Sequence, residues 1–286
     1  MIAKLTSLCF SYVHWCRNNL FTAFCATGLY VIVLLALLAP WLGLPDPAGI
    51  DFASKLLPPS ASHWFGTDGL GRDIFSGVVF GARASLLVAI GVVAIAAVIG
   101  IPIGLMAGYV GGWLDTVLMR IADVFLAFPP LLLPITLSAL LGPGLLNTML
   151  AVAISWFPWY ARIVRSTVLT VKSDLYVQAA HGIGTDTLSI AWRHVLPNSL
   201  GPVTVQASLD FGFAILTTAS LSFIGLGAVP PTVEWGLMVA NSRSVFLEYW
   251  WTAMFPGLAI FLTVFFANVV VDGIRDALDP KLAKPQ

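Results

Sequence analysis

Few side chains in this 286-residue sequence stand where they could do chemistry, and most of the familiar arrangements are missing. A phosphate loop needs Gly-Lys-Ser/Thr. The five lysines follow Ala3, Ser54, Val171, Pro280 and Ala283, so this chain carries no such loop. If ATP drives the protein, another chain binds it. Zinc sites want His and Cys ligands at short, regular spacing. His14, His63, His181 and His194 contain no i,i+3 or i,i+4 pair, and no cysteine stands near the last three, which argues against a metal centre. Gly-x-Ser-x-Gly and His-Glu-x-x-His are absent, which disfavours a hydrolase. Two acidic residues remain inside long apolar runs. Asp123 lies three residues from Arg120 and reads as half of an interfacial ion pair. Asp210 lies about ten residues into its run. An ionised carboxylate at such depth costs about 2.5–3.5 kcal/mol on insertion scales. It marks either a water-lined pathway or a hydrogen bond between helices.

The elements that must position these residues are membrane spans. The sequence is 58% hydrophobic and 10% charged, with mean hydropathy +0.92. Soluble domains are about 25% charged. Disordered, collagen-like and coiled-coil chains are excluded by the same composition. Fourteen basic residues balance fourteen acidic ones, which removes the electrostatic case for nucleic acid. A helix crosses the hydrocarbon core with about 20 apolar residues. Runs at residues 20–40, 86–109, 121–141, 147–160, 200–228 and 249–271 meet or approach that length, the fourth being the shortest. None alternates with period two, so a barrel is excluded. The expected fold is all-α: a polytopic membrane helical bundle with six transmembrane helices.

With the N-terminus inside, Lys4, Arg17, Arg120, Arg162, Arg165, Lys172, Arg193, Arg275, Lys281 and Lys284 fall on the cytoplasmic side. Lys55, Arg72, Arg83 and Arg243 fall outside. The positive-inside rule therefore places both termini in the cytoplasm. The first apolar run exceeds a signal peptide's hydrophobic region of about 7–15 residues and reads as an uncleaved anchor. Cys9, Cys16 and Cys25 are small apolar residues near that span rather than disulfide partners. Gly100, Gly104 and Gly108 repeat every four residues in the second run, and Gly77 and Gly81 do so just before it. Small residues on one helix face let backbones approach closely. Asp68 and Arg72, four apart, suggest a helical ion pair.

The inner segment 161–199 carries its own helix punctuation. Ser173-Asp174 and Thr185-Asp186 are N-terminal caps, Gly182 and Gly184 interrupt, and the second helix, at 187–195, is expected to stop before Pro197. Ala180 and Gly184 predict a bare strip suited to a partner's groove.

Here the sequence resembles a known family. Tyr176-Val-Gln-Ala-Ala-His-Gly-Ile-Gly184 and Arg193-His-Val-Leu-Pro-Asn198 are similar to the "EAA" loop of ABC-importer permeases. The family's leading glutamate is Gln178 here. His63-Trp-Phe-Gly-Thr-Asp-Gly-Leu-Gly-Arg-Asp73, Gly81-Ala-Arg-Ala-Ser-Leu86, Ser220-Leu-Ser-Phe-Ile-Gly-Leu-Gly227, Pro230-Pro-Thr-Val-Glu-Trp-Gly236, Phe255-Pro-Gly-Leu-Ala-Ile-Phe261 and Asp272-Gly-Ile-Arg-Asp-Ala-Leu-Asp-Pro280 resemble the dipeptide/oligopeptide/nickel permeases. The match runs from about residue 53 to 280 and looks like the subunit with one N-terminal span before a five-span core.

The resemblance implies an ABC importer type I permease fold in a bacterial cytoplasmic membrane. It divides the chain into a tail and first span at 1–41, an outer loop with an amphipathic segment at 42–85, a core at 86–280 and a tail at 281–286. It implies a second permease subunit, usually a different chain, two cytoplasmic ATP-binding subunits holding ATP and Mg, and an external substrate-binding protein. No cofactor and no enzymatic activity is expected on this chain. Gln178, Ala179, Ala180, Gly184, Leu196 and Pro197 become the ATPase-coupling motif. Glu234 and Trp235, in the second outer loop, become candidates for docking the binding protein, and a packed turn is the other reading there. The expected cargo is short peptides. Nickel or metal–metallophore complexes are the alternative within the family, and an ion-coupled secondary transporter built on Asp210 the alternative outside it.

Overall fold

A computed structural model describes residues 20–278, with side chains to residue 273. Both tails, with Lys4, Cys9, Cys16, Arg17, Lys281 and Lys284, lie outside the described residues. The described elements are helical: α1 (Leu20–Leu38), α2 (Ile74–Val110), α3 (Gly112–Leu126), α4 (Leu132–Leu141), α5 (Leu145–Val171), α6 (Leu175–Gly182), α7 (Thr187–Ile190), α8 (Leu196–Ser199), α9 (Gly201–Phe223), α10 (Trp235–Asn241) and α11 (Trp251–Leu278). Leu20–Trp41, Ile74–Val110 and Trp251–Gly273 are each long and apolar enough to cross a membrane. Thr187–Ser199 with Gly201–Phe223 forms a bent fourth candidate, turned by 53°.

The other two expected crossings differ from simple rods. Helix α5 has 27 residues, a length of roughly 40 Å, and its last turns carry Arg162 and Arg165. The run at 121–141 is not one helix. It is split into α3 and α4 around Pro129-Pro130. Proline supplies no amide hydrogen and disfavours helix in the residue before it. Single prolines within helices, Pro102, Pro158 and Pro256, are absorbed without a break.

The chain forms two compact units. Among the described residues, one comprises 20–84 and 233–278, the other Ser85–Thr232. In the first, α1 packs along α11, and Phe24 meets Phe266 edge-on at 6.0 Å. The loop at 42–73 has little regular structure and is fixed by polar hooks and by Phe65, stacked on Phe255 at 4.0 Å. Asp73 accepts the Ser76 amide at 2.8 Å, which starts α2, and also faces His63 Nδ1 at 2.9 Å. The Trp251 indole donates to the Thr67 carbonyl at 3.2 Å. Gly71, at φ +77°, lies so close to the Asp51 backbone that no Cβ fits. Asp68 and Arg72 do pair, at 2.6 Å, but in a turn rather than a helix. Asp68 also accepts the amides of Leu70 and Arg72, bonds that bend the backbone back on itself.

In the second unit, the glycine repeat of α2 meets α5. A Cβ on Gly100 would stand 2.6 Å from the Phe157 carbonyl oxygen, and one on Gly104 would stand 2.7 Å from Val164 Cβ. On Gly108 it would stand 2.8 Å from Val168 Cγ1. Real Cβ contacts are wider, so only glycine permits this approach. Lys172 closes the end of α2 by donating to the Gly108 carbonyl at 2.7 Å, a favourable place for a cation.

Candidate coupling site and polar positions

The segment 172–199 folds back onto its own unit. Val177, Ala180, Ile190, Ala191, Val195 and Leu196 are buried in one apolar cluster with Tyr160, Val164 and Val168 of α5 and Val203 of α9. Apolar burial is worth about 25 cal/mol per Å², so these side chains hold the loop as a body continuous with two spans. Its local structure follows from capping and glycine. Asp186 accepts the amides of Leu188 and Ser189 at 3.1 Å, as expected of a cap. Asp174 occupies the cap position of α6, but its side chain makes no cap bond. Gly184 takes φ +80°, which a side chain rarely adopts.

Two expectations are corrected here. The second helix does not stop before Pro197. It runs on through a wide π turn at Ala191–Val195 into α8. The proline ring clashes with the carbonyl four residues back in a regular helix, and the wider turn lies where that clash would fall. The strip expected to meet a partner is also different. Ala180 faces the unit's own core, while Ala179, Gly184 and Pro197 are exposed. The large apolar side chains left outside are Leu175 at 82% exposure, Ile183 at 84%, Leu188 and Trp192. Gln178 donates to the Ser173 carbonyl at 2.9 Å, within the loop.

Glu234 and Trp235 are placed against the docking expectation. They are 3% and 1% exposed. Glu234 accepts the amides of Gly236 and Leu237 at 2.8 and 2.9 Å, capping α10. The Trp235 indole donates to the Val78 carbonyl at 2.8 Å, against Gly81. Both side chains are spent inside their unit, which supports the packed-turn reading. The exposed apolar residues nearby are Phe246, Leu247 and Trp250.

Asp123 pairs with Arg120 at 3.7 Å and also with Arg162 on α5. A second pair joins Asp115 to Arg165, with two hydrogen bonds, one of 2.6 Å. The Arg165 guanidinium holds the Asp115 carboxyl below the usual carboxylate range. These pairs tie α3 to α5 beside a polar cavity of about 490 Å³. In the loop at 42–73 the Ser54 hydroxyl shifts the Asp51 carboxyl in the same direction.

Asp210 is 9% exposed. Its Oδ1 accepts from Gln206 Nε2 at 2.8 Å, and the buried Tyr160 hydroxyl stands beside it. That hydroxyl closes no hydrogen bond of ordinary geometry. Among the described residues no salt bridge reaches Asp210.

The described elements make an all-helical membrane protein with a folded, exposed loop at 172–199. The family of binding-protein-dependent transport system inner membrane components matches residues 100–284, and the chain belongs to it: an ABC-importer permease. A probable D,D-dipeptide transport system permease protein of Escherichia coli is 49% identical over 270 residues, covering 94% of this chain and 91% of the relative. A dipeptide transport system permease protein of Alkalihalophilus pseudofirmus is 46% identical over 258 residues, covering 89% and 85%. Among solved structures, a chain of the MetNI methionine ABC transporter in an inward-facing conformation superposes with TM-score 0.56 at 17% identity, covering 71% of this chain and 96% of that one. That likeness shows the shared fold. Permeases of this family are multi-pass membrane proteins that work with a partner permease, ATPases and a substrate-binding protein. The chain is therefore a transport subunit and not an enzyme by itself.

Proposed function

We propose that this permease carries short peptides, delivered by an external binding protein, into the cytoplasm. The observation that carries the reading is the 49% identity to a permease named for D,D-dipeptides, over nearly the whole of both chains. The two relatives reported above are named for peptides, which favours peptides over nickel or metal complexes. ATP and Mg reside on two cytoplasmic ATP-binding subunits. A second, different permease chain completes the pathway, and both termini lie in the cytoplasm of a bacterial cell.

In this mechanism the loop 161–199 seats in a groove on an ATPase. Leu175, Ile183 and Leu188 supply its apolar contact, and Ala179, Gly184 and Pro197 allow the close approach. Gln178 shapes the loop through Ser173 rather than through an ionic contact. Ala180 and Leu196 act from inside, by fixing the loop to α5 and α9. Closing of the ATPases shifts the balance between inward- and outward-facing states through their differential affinity for each.

The test is uptake of a labelled dipeptide into cells carrying the whole transporter, with unlabelled di- and tripeptides and nickel as competitors. Competition by peptides alone is the expected result, and competition by nickel alone would overturn the cargo. The Gly184→Trp variant should insert normally while hydrolysing ATP without uptake. Normal uptake by that variant would sink the coupling role of the loop.

A further inference from the structure

The charged cavity between α3 and α5 has no part in the mechanism so far. Asp115, Thr116, Arg120 and Asp123 of α3 line it, with Arg162 and Arg165 of α5. The four α3 residues share one helical face. Trp113, Val117, Ile121 and Val124 lie on another face, apolar and exposed. Charged side chains on a membrane helix turn to a water-filled space or to a partner charge. Here they face a cavity of about 490 Å³, within the range of about 300–1,000 Å³ common to small-ligand sites. The charges do not cancel, because three guanidinium groups meet two carboxylates. Arg165 is engaged by both oxygens of Asp115, and Arg162 by Asp123. Arg120 is left over. Its side chain is 80% exposed, and its one ion pair among the described residues is the 3.7 Å contact with Asp123. A guanidinium carries five donors in a planar fork, a shape matched to a carboxylate.

We propose that this cavity binds the terminal carboxylate of a short peptide in transit, with Arg120 as the residue that grips it. The inference rests on the peptide reading above and adds a place where this chain touches its cargo. Arg162 and Arg165, each held by an aspartate, keep the walls in place and supply a positive field. The single excess positive charge suits one carboxylate. Asp115 and Asp123 repel an ion of higher negative charge, which disfavours a phosphate. With both termini in the cytoplasm, the three arginines fall toward the cytoplasmic side, so the cavity is a late station before release. Its polar, open lining suits a contact weak enough to let the peptide leave. A basic pocket between membrane helices also attracts anionic lipid headgroups, and the experiment separates that occupant from the peptide.

The experiment uses the complete transporter in nanodiscs, without the binding protein. Alkylation of Thr116→Cys by a charged maleimide is followed by mass on the fragment containing residue 116. Alanyl-alanine and its N-acetyl form should slow the reaction, and alanyl-alanine amide should not. Adding Arg120→Gln should raise the half-protecting concentration of alanyl-alanine about tenfold, the factor set by one hydrogen bond to a charged group, and should erase the difference from the amide. That substitution breaks only an exposed pair, and Asp123 keeps Arg162. If the double variant does not assemble, the comparison of peptide with amide in Thr116→Cys decides alone. Equal protection by the two would overturn the site, as would wild-type protection in Arg120→Gln. So would a lack of protection in both the nucleotide-free and the vanadate-trapped transporter. Protection that follows phosphatidylglycerol content and ignores peptide would give the cavity to a lipid headgroup instead. Dipeptide uptake measured in parallel keeps the two readings apart. Peptide uptake without protection removes only the site, whereas uptake that nickel alone competes removes the cargo reading itself.

Discussion

The loop at 42–73 and the loop at 172–199 of this permease are held by different means. The loop at 42–73 is nearly devoid of helix and is pinned at separate points, by the hydrogen bonds of Asp73 to Ser76, Trp251 to Thr67 and Trp235 to Val78 and by Phe65 stacked on Phe255. The loop at 172–199 is helical and is held by a patch of small and branched apolar residues, Val177, Ala180, Ile190 and Leu196. A hydrogen bond constrains one direction at one point, while an apolar patch resists displacement as a whole. The difference suits the proposed roles. A loop that transmits force must not deform, and a loop that frames an outer surface needs only a fixed shape.

The largest effect should come from Trp235→Ala. Removing a buried indole costs about 3–5 kcal/mol, and Val78 loses its donor. Hydrogen exchange should speed up in residues 66–80 and 233–242 and stay unchanged in 175–199. Equal loosening of both regions would break the contrast between the two loops.

Gly104→Leu attacks the seam between α2 and α5 instead. No space exists for its side chain against Val164 and Arg165, and overpacking of this kind costs up to about 3 kcal/mol. A drop in Tm with exchange rising first in 145–171 is expected. An unchanged Tm would show that the seam opens freely.

The smallest effect should follow Asp115→Asn, which removes the pair with Arg165 at the first turn of α3. Such a pair is worth about 1 kcal/mol or less. Because the folded carboxyl lies below its ordinary value, its stabilisation is complete above about pH 4. It is lost as pH falls through the lowered folded value. The wild type and Asp115→Asn should therefore differ in Tm at pH 7 and converge in strong acid. A constant difference at all pH values would sink the assignment of the shift to Arg165.

Much of this was legible in the residues. The Asp186 cap, the Gly184 turn and the close approach at Gly100, Gly104 and Gly108 each depend on chemistry within a few positions. The break at Pro129-Pro130 was equally local, yet the apolar run masked it, because hydropathy counts side chains and does not see a missing amide hydrogen. Glu234 and Trp235 show a different failure. A polar and an aromatic residue in an outer loop look available for docking, and only the fold shows them turned inward.

The sequence by itself determined the solvent, the helical class and the family. Composition sets what a membrane tolerates, and the motifs stand in order along the chain. Tertiary structure decided which face of each helix is used. Ala180 points into the core and Ile183 outward, three residues apart, because the loop folds back on α5 and α9 rather than along the membrane. Residues distant in sequence, Tyr160 and Asp210, meet for the same reason: burial follows from the packing of helices, and no local pattern encodes which neighbours that packing brings.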